Sequence, residues 1–249
     1  MKKVFNWTVN VSLLFIAASA LTYTIHYFIF HDAHHIFLYM IGDFGFLFID
    51  VLLVVLFVER ILSRREKQAM MKKLNMVIGT FFSEVGLDIL KKFSTFVNNA
   101  ENLEKKLKIL PIWRKKDFQR AIASAQEFPY EIKIDKDKLC ELRDFLIGKR
   151  SFMLRLLENP NLLEHERFTD LLWAMFHLTE ELAIRGDELK DLPQSDYDHI
   201  AKDIKRVYSQ MTSAWIAYTS HLKESYPFLF SLAARINPMD PNATPIISS

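Results

Sequence analysis

Histidine and aspartate side chains cluster between two apolar stretches near the start of the chain. His31, Asp32, His34 and His35 lie within the segment FHDAHH, and His26 precedes it by about one helical turn. Imidazole and carboxylate groups together can bind zinc, copper, nickel or iron. The segment therefore predicts either a divalent transition-metal site or a turn of polar residues among lipid headgroups. We favour the turn, with no resident cofactor. Because imidazole titrates near physiological pH, pH sensing is a third use.

Two aspartates lie inside the second apolar stretch, where a charged group is costly. Asp50 falls near its middle, and Asp43 lies about 10 Å closer to the histidine segment along a helix. An ionised carboxylate at the centre of a bilayer costs about 3 kcal/mol on insertion scales. The two residues are seven positions apart and share one helix face, and Gly42 and Gly45 beside them would allow another helix to approach closely. We expect this face to contact protein or water.

Polar partners for these carboxyl groups are present in the first apolar stretch. Thr22, Thr24 and His26 lie in its second half, at a depth close to that of Asp43 if the two helices run antiparallel. We therefore predict that His26 and Asp43 lie near each other. In one hairpin such groups serve as interhelical hydrogen bonds. Rings of carboxylates from several copies would instead line a path for ions or protons.

The two stretches have the length and composition of transmembrane helices. Residues 4–30 contain no Asp, Glu, Lys or Arg. A helix of that length extends about 40 Å, enough to cross a hydrocarbon core of about 30 Å. We predict spans at about 5–30 and 36–62, joined by an outer loop at 31–35. A cleaved signal peptide is an alternative for the first span because of the tripeptide ASA, but the apolar run is too long for a signal core.

Basic residues flank the two predicted spans on one side only. They are Lys2, Lys3, Arg60, Arg64, Arg65 and Lys67. The loop contains neither lysine nor arginine, so the positive-inside rule places both termini in the cytoplasm. This pattern predicts a multi-pass protein of the cell membrane, inner or plasma. We expect Arg60, Arg64, Arg65 and Lys67 to contact lipid headgroups.

After residue 62 the composition becomes that of a water-soluble helical domain. Apolar residues recur three and four positions apart from Met71 to Val85, which is the repeat of one helix face. This pattern predicts a long amphipathic juxtamembrane helix over 63–110. It continues directly from the second span and is either one helix or two joined near Gly86.

Shorter helices follow Pro111, and capping residues predict where they end. Asp135 and Gly148 predict the start and the end of one helix, and Ser195 with Asp198 resembles a capping box at the start of the last long helix. Each helix has one apolar face and the connections are short, which is typical of a helical bundle.

The elements together predict an all-α fold. It consists of a two-span transmembrane helical hairpin at 1–62 followed by a cytoplasmic helical bundle domain. The juxtamembrane helix occupies 63–110, the bundle 111–236 and an extended, proline-rich tail 237–249.

The predicted bundle lacks recognisable catalytic motifs. His177 with Glu180, and His221 with Glu224, reverse the Glu-x-x-His order of di-iron bundles, so we expect no metal centre from them. No phosphate loop, Gly-x-Ser-x-Gly, kinase or zinc-protease motif is present. The single cysteine, Cys140, excludes an internal disulfide, and a net charge of +2 argues against a nucleic-acid partner.

Three functions are compatible with this pattern. The favoured one is a non-enzymatic membrane protein that anchors a cytoplasmic scaffold or signalling domain, with the lipid bilayer, further copies of itself and a cytoplasmic protein as partners. The alternative is an oligomeric cation channel or transport subunit, in which Asp43 and Asp50 line the path. The third is a membrane-bound metalloenzyme that uses His26, His31, His34 and His35.

Overall fold

The computed structural model describes residues 2–163 and 165–247. The side chains of Lys2 and Lys3, and Ser248 and Ser249 of the predicted tail, lie outside this description. The chain divides into two compact units, Met1–Lys67 and Gln68–Ser249. Regular structure in the described residues is helical, apart from one isolated antiparallel bridge between Val97 and Ile132. The all-α class is therefore confirmed.

Ten α-helices, numbered in chain order, account for most of the described residues. They are α1 (Lys2–Phe30), α2 (Ala33–Phe81), α3 (Leu87–Ser94), α4 (Ala100–Leu107), α5 (Lys115–Glu127), α6 (Lys136–Leu157), α7 (Pro160–Leu163), α8 (Glu166–Arg185), α9 (Gln194–Ser225) and α10 (Pro227–Arg235). A π-helical turn, Phe82–Gly86, joins α2 to α3, and a 3₁₀ turn, Gly186–Lys190, follows α8.

In the first unit, α1 and the beginning of α2 meet at a two-residue turn. His31 takes a left-handed conformation with φ of 52° and donates its N–H to the carbonyl of Tyr27 at 2.8 Å. Asp32 then caps α2, because its Oδ1 accepts the N–H of His35 at 3.1 Å. The loop expected at 31–35 is therefore shorter, and its last three residues form the first turn of α2.

The second unit is built around α9, which packs against α3, α5, α8 and α10. The apolar stripe of α9 is buried as its spacing predicts, with Ile200, Ile204, Val207 and Met211 fully shielded from solvent. The same core contains the last turns of α2, where Phe81 meets Phe168 at 5.1 Å between ring centroids.

The long helix predicted over 63–110 ends earlier than expected. Helix α2 continues without a break to Phe81, and helical structure persists through the π turn to Ser94. The chain then turns before α4. Here Asn98 donates its N–H to the carbonyl of Glu131, and Phe96 accepts the N–H of Lys133, both at 2.8 Å. These two bonds to a distant segment satisfy backbone groups that would otherwise be paired within a helix.

Two predicted helix ends are wrong. Helix α6 begins after Asp135, whose carboxylate accepts the N–H groups of Asp137 and Lys138, but it continues through Gly148 to Leu157. A glycine that ends a helix needs a positive φ, and Gly148 does not have one. The capping box at Ser195 is also absent, because α9 already begins at Gln194 after Pro193.

The tail after α10 is not simply extended. Turns follow Ile236, and the side chains of Asn237 and Met239 are buried. Residues of the tail therefore belong to the core of the second unit.

Gly86 and Gly148 provide opposite expectations for one substitution. An alanine Cβ at Gly86 would lie 2.6 Å from Cδ1 of Phe82 and 2.9 Å from Cε1 of Phe81, both buried, whereas Gly148 has open space around it. We expect Gly86→Ala to destabilise by about 1–3 kcal/mol through overpacking. Gly148→Ala should stabilise by up to about 1 kcal/mol through helix propensity. Thermal unfolding of both variants checks this, and equal shifts would contradict it.

Candidate functional site

The first unit brings together the two residues that the sequence paired in the apolar stretches. His26 of α1 and Asp43 of α2 line one open cleft of about 340 Å³, together with Thr22, Tyr23 and residues of the second helix. The ring of His26 stacks on that of His35 at 5.9 Å between centroids, nearly parallel. The Nδ1 atom of His26 is buried without a hydrogen-bond partner.

The side chains of the histidine segment at 31–35 do not converge on one point. The carboxylate of Asp32 is used to cap α2, His31 packs against Tyr27, and His35 stacks between His26 and Tyr39. Within the described residues, these side chains do not form a group of three ligand atoms within 4.8 Å of one another. The geometry agrees with a role in making the turn.

The other residues singled out in the apolar stretch and after it are exposed on α2. They are Asp43, Asp50, Arg60, Arg64, Arg65 and Lys67. The apolar side chains around Asp50, such as Phe48 and Val51, are exposed as well.

A second cluster, which we call the His–Asp cluster, lies in the helical unit and consists of His177, His199 and Asp203. His177 is on α8, and His199 and Asp203 are one turn apart on α9. The Oδ2 atom of Asp203 lies 3.4 Å from Nε2 of His177 and 3.4 Å from Nε2 of His199. The three ligand atoms all lie within 4.8 Å of one another, the single such group found in the described residues.

Asp203 is the buried member of this cluster. Its side chain is 4% exposed, whereas the two imidazoles are about half exposed, at 47% and 49%. Its Oδ2 atom is buried and accepts no hydrogen bond, while Nη1 of Arg206 lies 3.4 Å from the other oxygen, Oδ1. An ionised carboxylate in this position needs a positive partner, because burial removes its water.

A second carboxylate adjoins the cluster and is held by an arginine. Oε2 of Glu181, one turn after His177 on α8, lies 3.7 Å from Nε2 of His199. Nη1 of Arg185 donates to Glu181, and its Nη2 lies 3.4 Å from Oδ1 of Asp196. The hydrogen bond from Arg185 lowers the pKa of Glu181, so this carboxylate stays ionised and fixed.

Sequence reasoning identified only one member of this cluster. It paired His177 with Glu180, but Glu180 contacts Arg150 at 3.5 Å and is not part of the cluster. The useful signal was the spacing of four, because both His177-x-x-x-Glu181 and His199-x-x-x-Asp203 place imidazole and carboxylate on one helix face. The pair His221 with Glu224 lines a separate cavity of about 420 Å³.

The start of α8 depends on a histidine that must be uncharged. Nδ1 of His165 accepts the N–H of Phe168 at 3.1 Å and so caps the helix. Burial lowers the pKa of His165 from its ordinary value, and nearby Arg167 adds to this. The unfolded chain therefore binds a proton more readily than the folded chain, and stability falls as the pH is lowered below about 6.5.

We expect His165→Asn to reduce this loss of stability in acid. Asparagine caps helices well and does not titrate in this range. Free energies of unfolding measured between pH 7.5 and 5.5 should therefore decline less in the variant. Some decline should persist, because burial also lowers the pKa of His221. An unchanged pH dependence would contradict the role of His165.

Comparison with known proteins matches both parts of the chain. Residues 2–62 match the family model described as "MJ1433, N-terminal helical domain", and residues 70–235 match "Uncharacterized protein MJ1433, C-terminal helical domain". The protein of Methanocaldococcus jannaschii named "Uncharacterized protein MJ1433" is 42% identical over 230 residues, which is 92% of each chain. No solved structure matches this chain.

Proposed function

The chain belongs to the MJ1433 family, and we propose that it is a two-pass integral membrane protein whose transmembrane hairpin anchors a cytoplasmic helical scaffold or signalling domain. In this proposal the protein is not an enzyme, and its domain acts by binding another protein. The family descriptions name two helical domains and no reaction.

The observation that carries the proposal is the exposed apolar surface of the first unit. Two helices are long and apolar enough to cross a membrane, and none of the residues in their most apolar windows is buried. Phe15 is 71% exposed and Ile41 is 72% exposed, and their neighbours are similar. A continuous surface of this kind is unfavourable in water and favourable in lipid.

The proposed orientation follows from charge. The turn at His31 and Asp32 carries no lysine or arginine, whereas Arg60, Arg64 and Arg65 are exposed on α2. The positive-inside rule therefore supports an outer turn and cytoplasmic termini, with the arginines at anionic headgroups.

The proposed partner contacts lie on the helical domain. Its exposed apolar side chains include Trp173 and Ile184 of α8, Ile112 before α5 and Phe228 of α10, which are 61–86% exposed. Large exposed apolar side chains are typical anchors of protein interfaces.

Cysteine labelling tests the topology. In a Cys140→Ala background, Ala33→Cys marks the turn and Ala243→Cys marks the tail, and both positions are exposed. In spheroplasts of a bacterial host, a membrane-impermeant maleimide should label only Ala33→Cys, and detergent should make both reactive. The protein should also stay in the membrane pellet after an alkaline carbonate wash. Release by carbonate, or labelling of the tail in intact spheroplasts, would overturn the proposal.

The exposed carboxylates of α2 favour a second function, an oligomeric cation path. Asp43 and Asp50 occupy one face of α2, and most residues next to them in the sequence are apolar. Both carboxylates are exposed in the single chain. A ring of several copies would place them in its lumen. Cation flux into liposomes that drops in Asp43→Asn and Asp50→Asn proteins would support this path, and unchanged flux would exclude a carboxylate-lined mechanism.

A further inference from the structure

We propose that His177, His199 and Asp203 bind a divalent transition-metal ion, with zinc as the best match to their donor atoms. The site lies within the helical unit and is independent of the membrane topology proposed above. Two imidazole nitrogens and one carboxylate oxygen are a recurrent set of ligands for zinc and for non-haem iron.

Two of the three ligand–ligand distances match those of a zinc site, and the third is within 4.8 Å. Zinc binds nitrogen and oxygen at about 2.1 Å, and two ligands at that distance in a tetrahedral site lie about 3.4 Å apart. Oδ2 of Asp203 lies 3.4 Å from each of the two Nε2 atoms. A distance of 3.4 Å is long for a hydrogen bond, and Oδ2 accepts none by geometry. The carboxylate oxygen is therefore better placed to share a cation than to pair with either ring.

The helices hold the three ligands in place. On α8, Leu178 and Thr179 follow His177 and are buried, and on α9, Ile200 and Ile204 flank the cluster and are fully buried. The ligands thus project from two packed helices rather than from a loop. Sites built on rigid elements keep their geometry with little loss of entropy on binding.

The charges around the cluster also favour a cation. Asp203 and Glu181 contribute two carboxylates, and one arginine contacts each of them. Arg206 approaches only Oδ1 of Asp203, and Arg185 pairs with Glu181 and Asp196. The charge of the buried Oδ2 is therefore left to the two imidazoles or to an ion between them.

The site has an open side. Both imidazoles are about half exposed to solvent, and Glu181 is held by Arg185 beside His199. A zinc ion with three protein ligands has a free fourth position that can bind water or an external ligand. Structural zinc sites, in contrast, are closed by four protein ligands. We therefore assign Glu181 as a positioning residue next to the ion rather than as a ligand.

Metal titration of the full-length protein tests the site. The chain is purified in detergent, its affinity tag is removed, bound metal is stripped with a chelator, and Zn²⁺ or Co²⁺ is added in equilibrium dialysis. We expect one ion per chain from the His–Asp cluster. Loss of a residue that only contacts a metal ligand typically weakens metal binding roughly 10- to 100-fold. We expect Glu181→Gln to weaken binding by no more than this. The effect should be larger for each ligand variant: His177→Ala, His199→Ala and Asp203→Asn.

The matched control removes the three histidines of the segment at 31–35, which the sequence offered as an alternative metal site. The triple variant His31→Ala, His34→Ala and His35→Ala leaves the His–Asp cluster unchanged and should keep the ion. If this variant loses the ion while His177→Ala and His199→Ala keep it, the site is in the outer turn and our proposal is wrong.

Two further results would also overturn it. One is no binding of Zn²⁺ or Co²⁺ by the wild-type chain at any concentration in the titration. The other is equal binding by the wild-type and Asp203→Asn proteins. Circular dichroism of each variant establishes that it is folded. Since His177 and His199 are half exposed and asparagine matches the shape of aspartate, unfolding is not the expected cause of lost binding.

Discussion

Asn237→Ala should lower the free energy of unfolding of the helical unit by about 3 kcal/mol or more. Asn237 is fully buried and connects three segments of the chain. Its Oδ1 accepts from Nε1 of Trp215 at 3.0 Å and from the N–H of Met239 at 3.3 Å, and its Nδ2 donates to the carbonyl of Leu107 at 3.0 Å. Alanine would leave these three buried groups without their partner, and each such group costs about 1–3 kcal/mol.

Asn242→Ala is the matched control for this substitution. Asn242 belongs to the same tail, but its side chain is exposed, so its loss should change stability by less than about 0.5 kcal/mol. Chemical denaturation of both variants gives the comparison. A small change in the free energy of unfolding for Asn237→Ala would contradict this prediction. It would mean that water replaces the amide and that the tail does not stabilise the core.

Local periodicity explains how much of the helical fold was predictable. The apolar stripe of α9 repeats every three or four residues, and the structure buries it, because one helix face is set by the chain alone. Gly148 misled the prediction because the buried face of α6 continues beyond it. Leu142, Leu146 and Met153 all enter the core, and their burial keeps the glycine helical.

Contacts between distant segments could not be predicted from the sequence. The interruption after Ser94 depends on hydrogen bonds from residues 96–98 to residues 131–133. The burial of Asn237 depends on Trp215 and Leu107, which are 22 and 130 positions away. A pattern within one helix carries no information about such partners.

The His–Asp cluster could be predicted in part, because two of its three residues lie on one helix. Asp203 interrupts the apolar stripe of α9 between Ile200 and Ile204, and an acid inside a buried stripe, one turn after His199, is a local signal. The position of His177 depends on how α8 packs against α9, which the spacing does not determine. In the apolar stretches the placement of His26 and Asp43 along one cleft was predictable, because a short turn limits the register of two consecutive helices.

The fragment 68–249 should fold in buffer without detergent, whereas the fragment 87–249 should not fold. The first retains the whole second unit and lacks the apolar surface of α1 and early α2. The second removes the end of α2 and the π turn. Five core side chains are lost with them: Leu74, Ile78, Phe81, Phe82 and Val85, each at most 6% exposed.

The expected loss of stability in the 87–249 fragment follows from the contacts of these five side chains. Phe82 packs against Trp215 at 5.1 Å, and Phe81 packs against Phe168. Removing a large buried side chain costs about 2–5 kcal/mol, so five of them amount to roughly 10 kcal/mol or more. That is as large as the whole stability of a typical domain, about 5–15 kcal/mol.

Expression of the two fragments with the same tag gives a direct comparison of these expectations. The 68–249 fragment should remain in the supernatant after ultracentrifugation and unfold cooperatively on heating, and the 87–249 fragment should aggregate or be degraded. Membrane association of 68–249 would place an anchor outside the first unit. A folded 87–249 fragment would show that the end of α2 is not required for folding. The domain boundary would then lie after Gly86 rather than near Lys67. With the expected result, the last turns of α2, which contain Leu74, Ile78 and Phe81, are an essential part of the core of the second unit.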